Sequence, residues 1–245
     1  MKNWVKDNGD SIANFEHHKV FLTKRGVKKR PGKPINQKLP ISTNQLDKII
    51  ELTDQFEDGP ALALALVIMF LSFLRQSNVA VKSKNTEHSE MLLKWGDIKI
   101  DSNRGTLKFL IKETKTRKGD APIFLQLSSI PGSRLCPLRR FSNYTTYLEN
   151  KMPSECPLLL RKTRTGVEPL TNNYITLRFR QLLDQMDLDP TLFSLHSLRR
   201  AGVLTAKLSQ VCDADLHHQG TWKSGSMEHY IGPFRYAFQS VQKSW

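Results

Sequence analysis

The chain has 245 residues, is 39% hydrophobic and 24% charged, and carries a formal net charge of +14 at pH 7 with a pI near 9.8. Such a composition can bury one large domain, or a medium domain with an appendage, and excludes low-complexity and fibrous classes. The excess of positive charge favours a polyanionic partner, bound through counterion release and therefore with salt-dependent affinity.

The first ten residues, MKNWVKDNGD, lack an apolar core, so no secretory signal is expected. Residues 11–22 fit a helix. Residues 24–38, KRGVKKRPGKPINQK, are basic and broken by Pro and Gly, and read as a linker or a DNA-wrapping arm. A nuclear-import signal and a solvated tether are equal alternatives. Lys24, Arg25, Lys28, Lys29 and Arg30 are the DNA-binding candidates of this stretch. From residue 41 the pattern turns helical: Ser42 or Thr43 can cap a helix carrying Leu46, Ile49, Ile50 and Phe56. Gly59-Pro60 breaks it, and residues 61–74 form an apolar run too short to span a bilayer, which reads as a core helix ending at Arg75. The β-rich runs DIKI, TLKFLIK and APIFLQL, separated by turn residues, predict a small antiparallel sheet. Helices are expected again over 138–150, over 172–186 behind a Thr171 cap, and over 195–208 behind a Ser194 cap. Cys136, Cys156 and Cys212 show no CxxC or Cys/His metal spacing, so neither a disulfide scaffold nor a zinc site is supported and a reducing compartment is expected. The predicted class is mostly helical α+β with one small sheet.

Four segments carry groups suited to phosphate. Arg75 closes an apolar helix, where a charge needs a partner. The hairpin loop 113–120 presents Lys115, Arg117 and Lys118. His196 and Arg199, three apart, project from one helical face. The stretch HHQGTWKSGSMEHY brings His217, His218, Trp222, Lys223 and Tyr230. Taken singly, each has a plainer reading: an ion pair at a helix end, a solvated turn, a capping arrangement, a packing tyrosine.

Their order along the chain is more specific. Arg, hairpin Lys, HxxR, His or Trp, then Tyr resembles the catalytic domain of the tyrosine recombinases, the phage-integrase family, from about residue 38 onward. The matching stretches are FLRQSN, KTRKGDAPIFL, LHSLRRAG and TWKSGSMEHYI. Their wording is most similar to recombinases of eukaryotic mobile elements of the Crypton and DIRS type. Residues 17–30, HHKVFLTKRGVKKR, resemble the exit of an N-terminal core-binding domain. The implied organisation is a core-binding remnant and basic linker over 1–38, a catalytic domain over 39–232, and a tail helix over 233–245.

The resemblance implies site-specific cleavage and rejoining of double-stranded DNA through a 3′-phosphotyrosine, in the nucleus, or in the cytoplasm if the source is prokaryotic. Tyr230 would be the nucleophile, Arg75 and Arg199 would hold the non-bridging oxygens, and His196 would assist proton handling at the nucleophile or stabilise the phosphate. Lys115 would protonate the leaving 5′-oxygen and Trp222 would add an indole donor. Lys118 is the alternative to Lys115, and His218 the alternative to Trp222. Arg117, Lys118 and Lys223 are further DNA contacts. No metal, nucleotide or other cofactor is implied.

Two departures stand out. Family members usually place the His or Trp nine residues before the tyrosine, which falls on Thr221, whereas Trp222 lies eight before. Asn78 stands where many bacterial relatives have a glutamate. In the tail, Phe234, Phe238, Val241 and Trp245 form one apolar stripe, which either folds back on its own core or docks on a neighbouring protomer. The resemblance, whose members exchange a C-terminal helix between protomers, implies docking in a dimer or tetramer on DNA. A type IB topoisomerase shares the catalytic layout, and a domesticated DNA-binding module without recombination activity is the alternative from another class.

Overall fold

The computed structural model describes residues 38–82, 88–115, 117–222, 227 and 230. Helix α1 (Thr43–Leu52) starts at Ser42, whose hydroxyl accepts from the Gln45 amide while the Gln45 side chain accepts from the Ser42 amide. This reciprocal capping satisfies two amides that a helix start otherwise leaves unpaired.

Helix α2 (Gly59–Leu71) is the centre of the fold. Every residue from Ala61 to Phe70 is buried, which a helix apolar all round requires. It packs against α4 (Pro137–Leu148) and α6 (Leu195–Leu208). The helix ends three residues before the expected Leu74. The Ser72 hydroxyl donates back to the Ile68 carbonyl at 2.5 Å, and Phe73 turns the chain with φ +52°. Arg75 therefore caps the next short helix, α3 (Gln76–Val79), instead of closing the apolar one. A serine hydroxyl competing for the helix's own carbonyl, followed by a left-handed residue, is the physical cause.

Strands β1 (Ile98–Asp101), β2 (Thr106–Ile111) and β3 (Ile123–Ser128) form the predicted antiparallel sheet in that order. The pairs Leu107↔Leu127 and Phe109↔Leu125 face the core, fixing the register through their burial. A second hairpin was not anticipated: β4 (Leu160–Thr163) and β5 (Gly166–Pro169). Their sequences, LRKT and GVEP, are too short and polar for alternation to mark them. Helix α5 (Asn172–Asp184) begins at Thr171, which accepts from the Tyr174 amide at 3.2 Å. Helix α6 begins at Ser194, whose amide donates to the Ser197 hydroxyl at 3.0 Å. Helix α7 (Asp213–Gln219) follows.

Two hydrophobic clusters result. The larger surrounds α2; the smaller gathers Phe73, Val203, Leu216, Trp222, Met227 and Tyr230. Residues of the predicted site thus rest on a small core of their own. Among the described residues no helix is long and apolar enough to cross a membrane.

Candidate active site

Arg199 is the keystone of the small cluster. The residue is 1% exposed. One terminal nitrogen donates to the Phe73 carbonyl and the other to the Gly220 carbonyl at 3.0 Å. A planar fork with two fixed arms suits this bridging role in a way a lysine does not. One bond reaches the bend before Arg75; the other reaches the turn before Trp222. The guanidinium carbon also lies 4.6 Å from the Trp222 ring centroid and 5.3 Å from that of Tyr230, within cation–π range. Burial lowers its pKa to about 10, so it stays cationic near neutrality.

The turn that delivers Trp222 has an unusual composition. The Thr221 amide donates to the His218 carbonyl and the Trp222 amide to the His217 carbonyl, at 3.0 and 3.1 Å. This is the Schellman ending of a helix, which normally puts glycine in the left-handed position. Here threonine occupies it, at φ +56°. A left-handed conformation costs a non-glycine residue about 1–2 kcal/mol, and a β-branched one is an outlier there. The glycine stands one residue earlier for another reason. A Cβ on Gly220 would lie 2.0 Å from the Trp222 ring, so only glycine lets the indole fold back over Arg199. The ring beside Arg199 and Tyr230 is that of Trp222, and Thr221 is spent on the turn.

Tyr230 completes the group. Its ring centroid lies 5.3 Å from that of Trp222 and 5.2 Å from that of His196. His196 sits in the first turn of α6, one turn from Arg199 on the same face, and keeps an exposed edge. Packing around the ring, followed by the charges of Arg199, Arg200 and Arg75, lowers its pKa from 6.5 to about 4. Solvent at the exposed edge moderates the first cause and leaves the guanidinium charges. The imidazole is therefore neutral at pH 7 and free to accept a proton.

Three donor atoms of this region find no partner among the described residues although they are buried: Arg75 Nη1, Arg199 Nε and Trp222 Nε1. Each buried unpaired donor costs about 1–3 kcal/mol unless a ligand satisfies it. Together they match a group rich in acceptor oxygens.

Lys115 is exposed at the turn between β2 and β3. Its loop is tethered near Arg75 by Asn78, whose amide nitrogen donates to the Glu113 carbonyl at 3.1 Å and to the Met91 carbonyl at 2.7 Å. Asn78, buried at 1%, is thus a tie between the Arg75 helix and the hairpin. The departure from glutamate exchanges an acceptor for a donor to two carbonyls. Lys118 is also exposed on the loop, while Arg117 faces Asp120 at 3.5 Å. His218 stands apart from the cluster. Its Nε2 lies 3.2 Å from the Phe124 carbonyl of β3, and it is His217 that touches the edge of Trp222. Lys24, Arg25, Lys28, Lys29, Arg30, Lys223 and the tail stripe lie outside the described residues. No group of three metal-ligating side chains occurs among the described residues.

Sequence reasoning overlooked Gly202, Gly220 and Arg200. Nothing in a single sequence distinguishes a glycine that admits a neighbour from one in a loop.

The fold that holds this cluster is the catalytic fold of the tyrosine recombinases. XerH site-specific recombinase bound to palindromic difH substrate, in a post-cleavage complex, is similar at a TM-score of 0.62 and 16% identity, over 90% of this chain and 56% of that one. XerA recombinase gives 0.60 and 10%, over 87% and 66%. A lambda integrase dimer bound to a COC′ core site gives 0.54 and 15%, over 83% and 51%. The chain therefore spans little more than half the length of the XerH structure. No family model matches the sequence, and no curated protein does either. At these identities the likeness is one of fold.

Proposed function

We propose that the chain carries the catalytic unit of a DNA strand transferase, which cleaves and rejoins double-stranded DNA through a phosphotyrosine at Tyr230. The observation that carries this is the convergence of Tyr230, His196, Arg199 and Trp222 in a region that also holds three buried, unpaired donors. The net charge of +14 supports a nucleic-acid partner. The DNA carried by the XerH and lambda integrase structures supports the same choice.

In this reading the Tyr230 hydroxyl attacks the scissile phosphorus and gives its proton to the neutral His196 imidazole. The bond from phosphorus to the 5′-oxygen breaks. Lys115 protonates the leaving oxygen, so a 3′-phosphotyrosine and a free 5′-hydroxyl result. Arg75, the unengaged N–H groups of Arg199 and the Trp222 indole hold the non-bridging oxygens as charge builds on them. These fixed cations and donors supply the stabilisation that a divalent ion gives in other phosphoryl transfers. Rejoining reverses each step, because the phosphotyrosine preserves the bond energy. The motif wording points to a eukaryotic mobile element acting in the nucleus.

On a nicked suicide duplex, the wild type is expected to form a covalent protein–DNA adduct and Tyr230→Phe none, with DNA binding retained. An adduct that persists in the Phe variant removes Tyr230 from its role. Binding without any wild-type adduct points instead to a DNA-binding module. Self-association through the tail belongs to the same reading: deleting residues 233–245 is expected to weaken assembly on DNA, and an unchanged sizing profile would count against it.

A further inference from the structure

The second arginine of the SLRRAG motif has no part in the reaction outlined above. Arg200 is 7% exposed, and no carboxylate pairs with it among the described residues. One terminal nitrogen donates to the Lys38 carbonyl, and its Nε finds no partner among the described residues. A buried cation held by one carbonyl is costly, so what it holds matters.

What it holds is the point where the chain joins the domain. The Leu39 amide donates to the Leu192 carbonyl at 2.8 Å, and the Lys38 ammonium donates to the Thr191 carbonyl. Ile41 follows at 1% exposure. Residues 38–41 are thus stapled to the turn before α6, and Arg200 fastens them to α6 itself. The same helix carries His196 and Arg199. Arg200 also follows Arg199 directly on the helix that carries the candidate site. Its charge is felt at His196, and the Tyr230 phenol is felt at Arg200, opposing the lowering that burial imposes.

We propose that Arg200 is a positioning residue of the cleavage site: it locks the chain at Lys38 to helix α6 and adds a third guanidinium to the field around Tyr230 and His196. Negative charge develops on the phenol oxygen as its proton leaves, and a fixed cation nearby stabilises it. The groups that act on His196 are then Arg199 and Arg200 from α6, Arg75 from the bend between α2 and α3, and the packed ring of Tyr230. Packing around the ring and these three positive charges keep the imidazole unprotonated at neutral pH.

The rate effect rests on the strand-transferase reading; the effect on His196 does not. Two variants of the full chain separate charge from geometry. Arg200→Gln removes the charge, and the His196 midpoint, followed by imidazole resonances without DNA, is expected to rise from about 4 by about one unit. Its adduct formation on the suicide duplex is expected to slow by about tenfold or more, with DNA affinity within about threefold of wild type. Arg200→Lys keeps the charge, so the midpoint stays, while loss of the planar fork to Lys38 still slows the adduct. An unchanged midpoint or an unchanged adduct rate in Arg200→Gln overturns the proposal. Should that variant fail to fold, a wild-type adduct rate in Arg200→Lys overturns it. A wild type that forms no adduct counts against strand transfer, and the His196 midpoint then decides the role of Arg200.

Discussion

Gly202→Ala is expected to destabilise the domain by about 3 kcal/mol and to abolish adduct formation, although it adds one methyl group. A Cβ there would lie 1.9 Å from the Phe70 carbonyl and 2.8 Å from the Phe73 ring. The first contact is backbone of the central helix and cannot rotate away, so α6 itself must move. Overpacked sites typically lose about 1–3 kcal/mol, and a rigid backbone neighbour puts this one at the upper end. For a domain of this size the melting temperature should fall by roughly 6–12 °C. Function should suffer more than stability. Helix α6 touches the Phe73 bend through Arg199, so a small shift separates Arg199 from the Arg75 segment. A misplacement of about 1 Å costs about a hundredfold in rate. Thermal melting and single-turnover adduct formation check both parts. Leu208→Ala, at an exposed end of the same helix, is the control expected to leave both unchanged. A loss under about 1 kcal/mol would show that α2 and α6 are not pressed together at Gly202.

Arg199→Lys is expected to slow adduct formation by about 10²–10³-fold, the range seen when one transition-state donor is removed. The side chain bridges the Phe73 and Gly220 carbonyls with two arms of one rigid plane. Lysine keeps the charge but reaches one carbonyl at most, leaving the other buried without a donor, which costs about 1–3 kcal/mol. The Trp222 turn would also lose its anchor, and Thr221 would be free to leave its left-handed conformation. Denaturant unfolding should therefore show a loss of about 2 kcal/mol beside the kinetic defect. A rate within about tenfold of wild type would mean that a point charge suffices and that the fork is dispensable.

What could be read of the helices and caps, and what could not be read at their edges, have different physical origins. His196 and Arg199 were legible because a three-residue separation on a capped helix leaves little choice of face. The Ser194 and Thr171 caps were legible because short hydroxyl side chains satisfy helix-start amides locally. The end of α2 was not. Apolar content alone carries the helical pattern through Leu74, while a hydroxyl bond from Ser72 to Ile68 and a left-handed Phe73 stop it at Leu71. In sequence, His218 stood as the alternative to Trp222. The Schellman turn separates them, sending one toward the β3 carbonyl and the other over Arg199.

By itself, the sequence determined the helical α+β class, the three-stranded sheet, the basic character and the residues that make up the candidate site. Those depend on residue type, periodicity and caps, all of which act over a few positions. Only the tertiary structure decided which of those groups meet. Arg75, Arg199 and Trp222 are joined through backbone carbonyls at Phe73 and Gly220, and carbonyls are common to every residue and invisible to pattern. The glycines at 202 and 220 matter for the atoms that fill the space where a side chain would be. Arg200 likewise gains meaning from Lys38, 162 positions away in the chain. Contacts made across such distances by backbone atoms leave no local trace, which is why the site's composition was readable and its assembly was not.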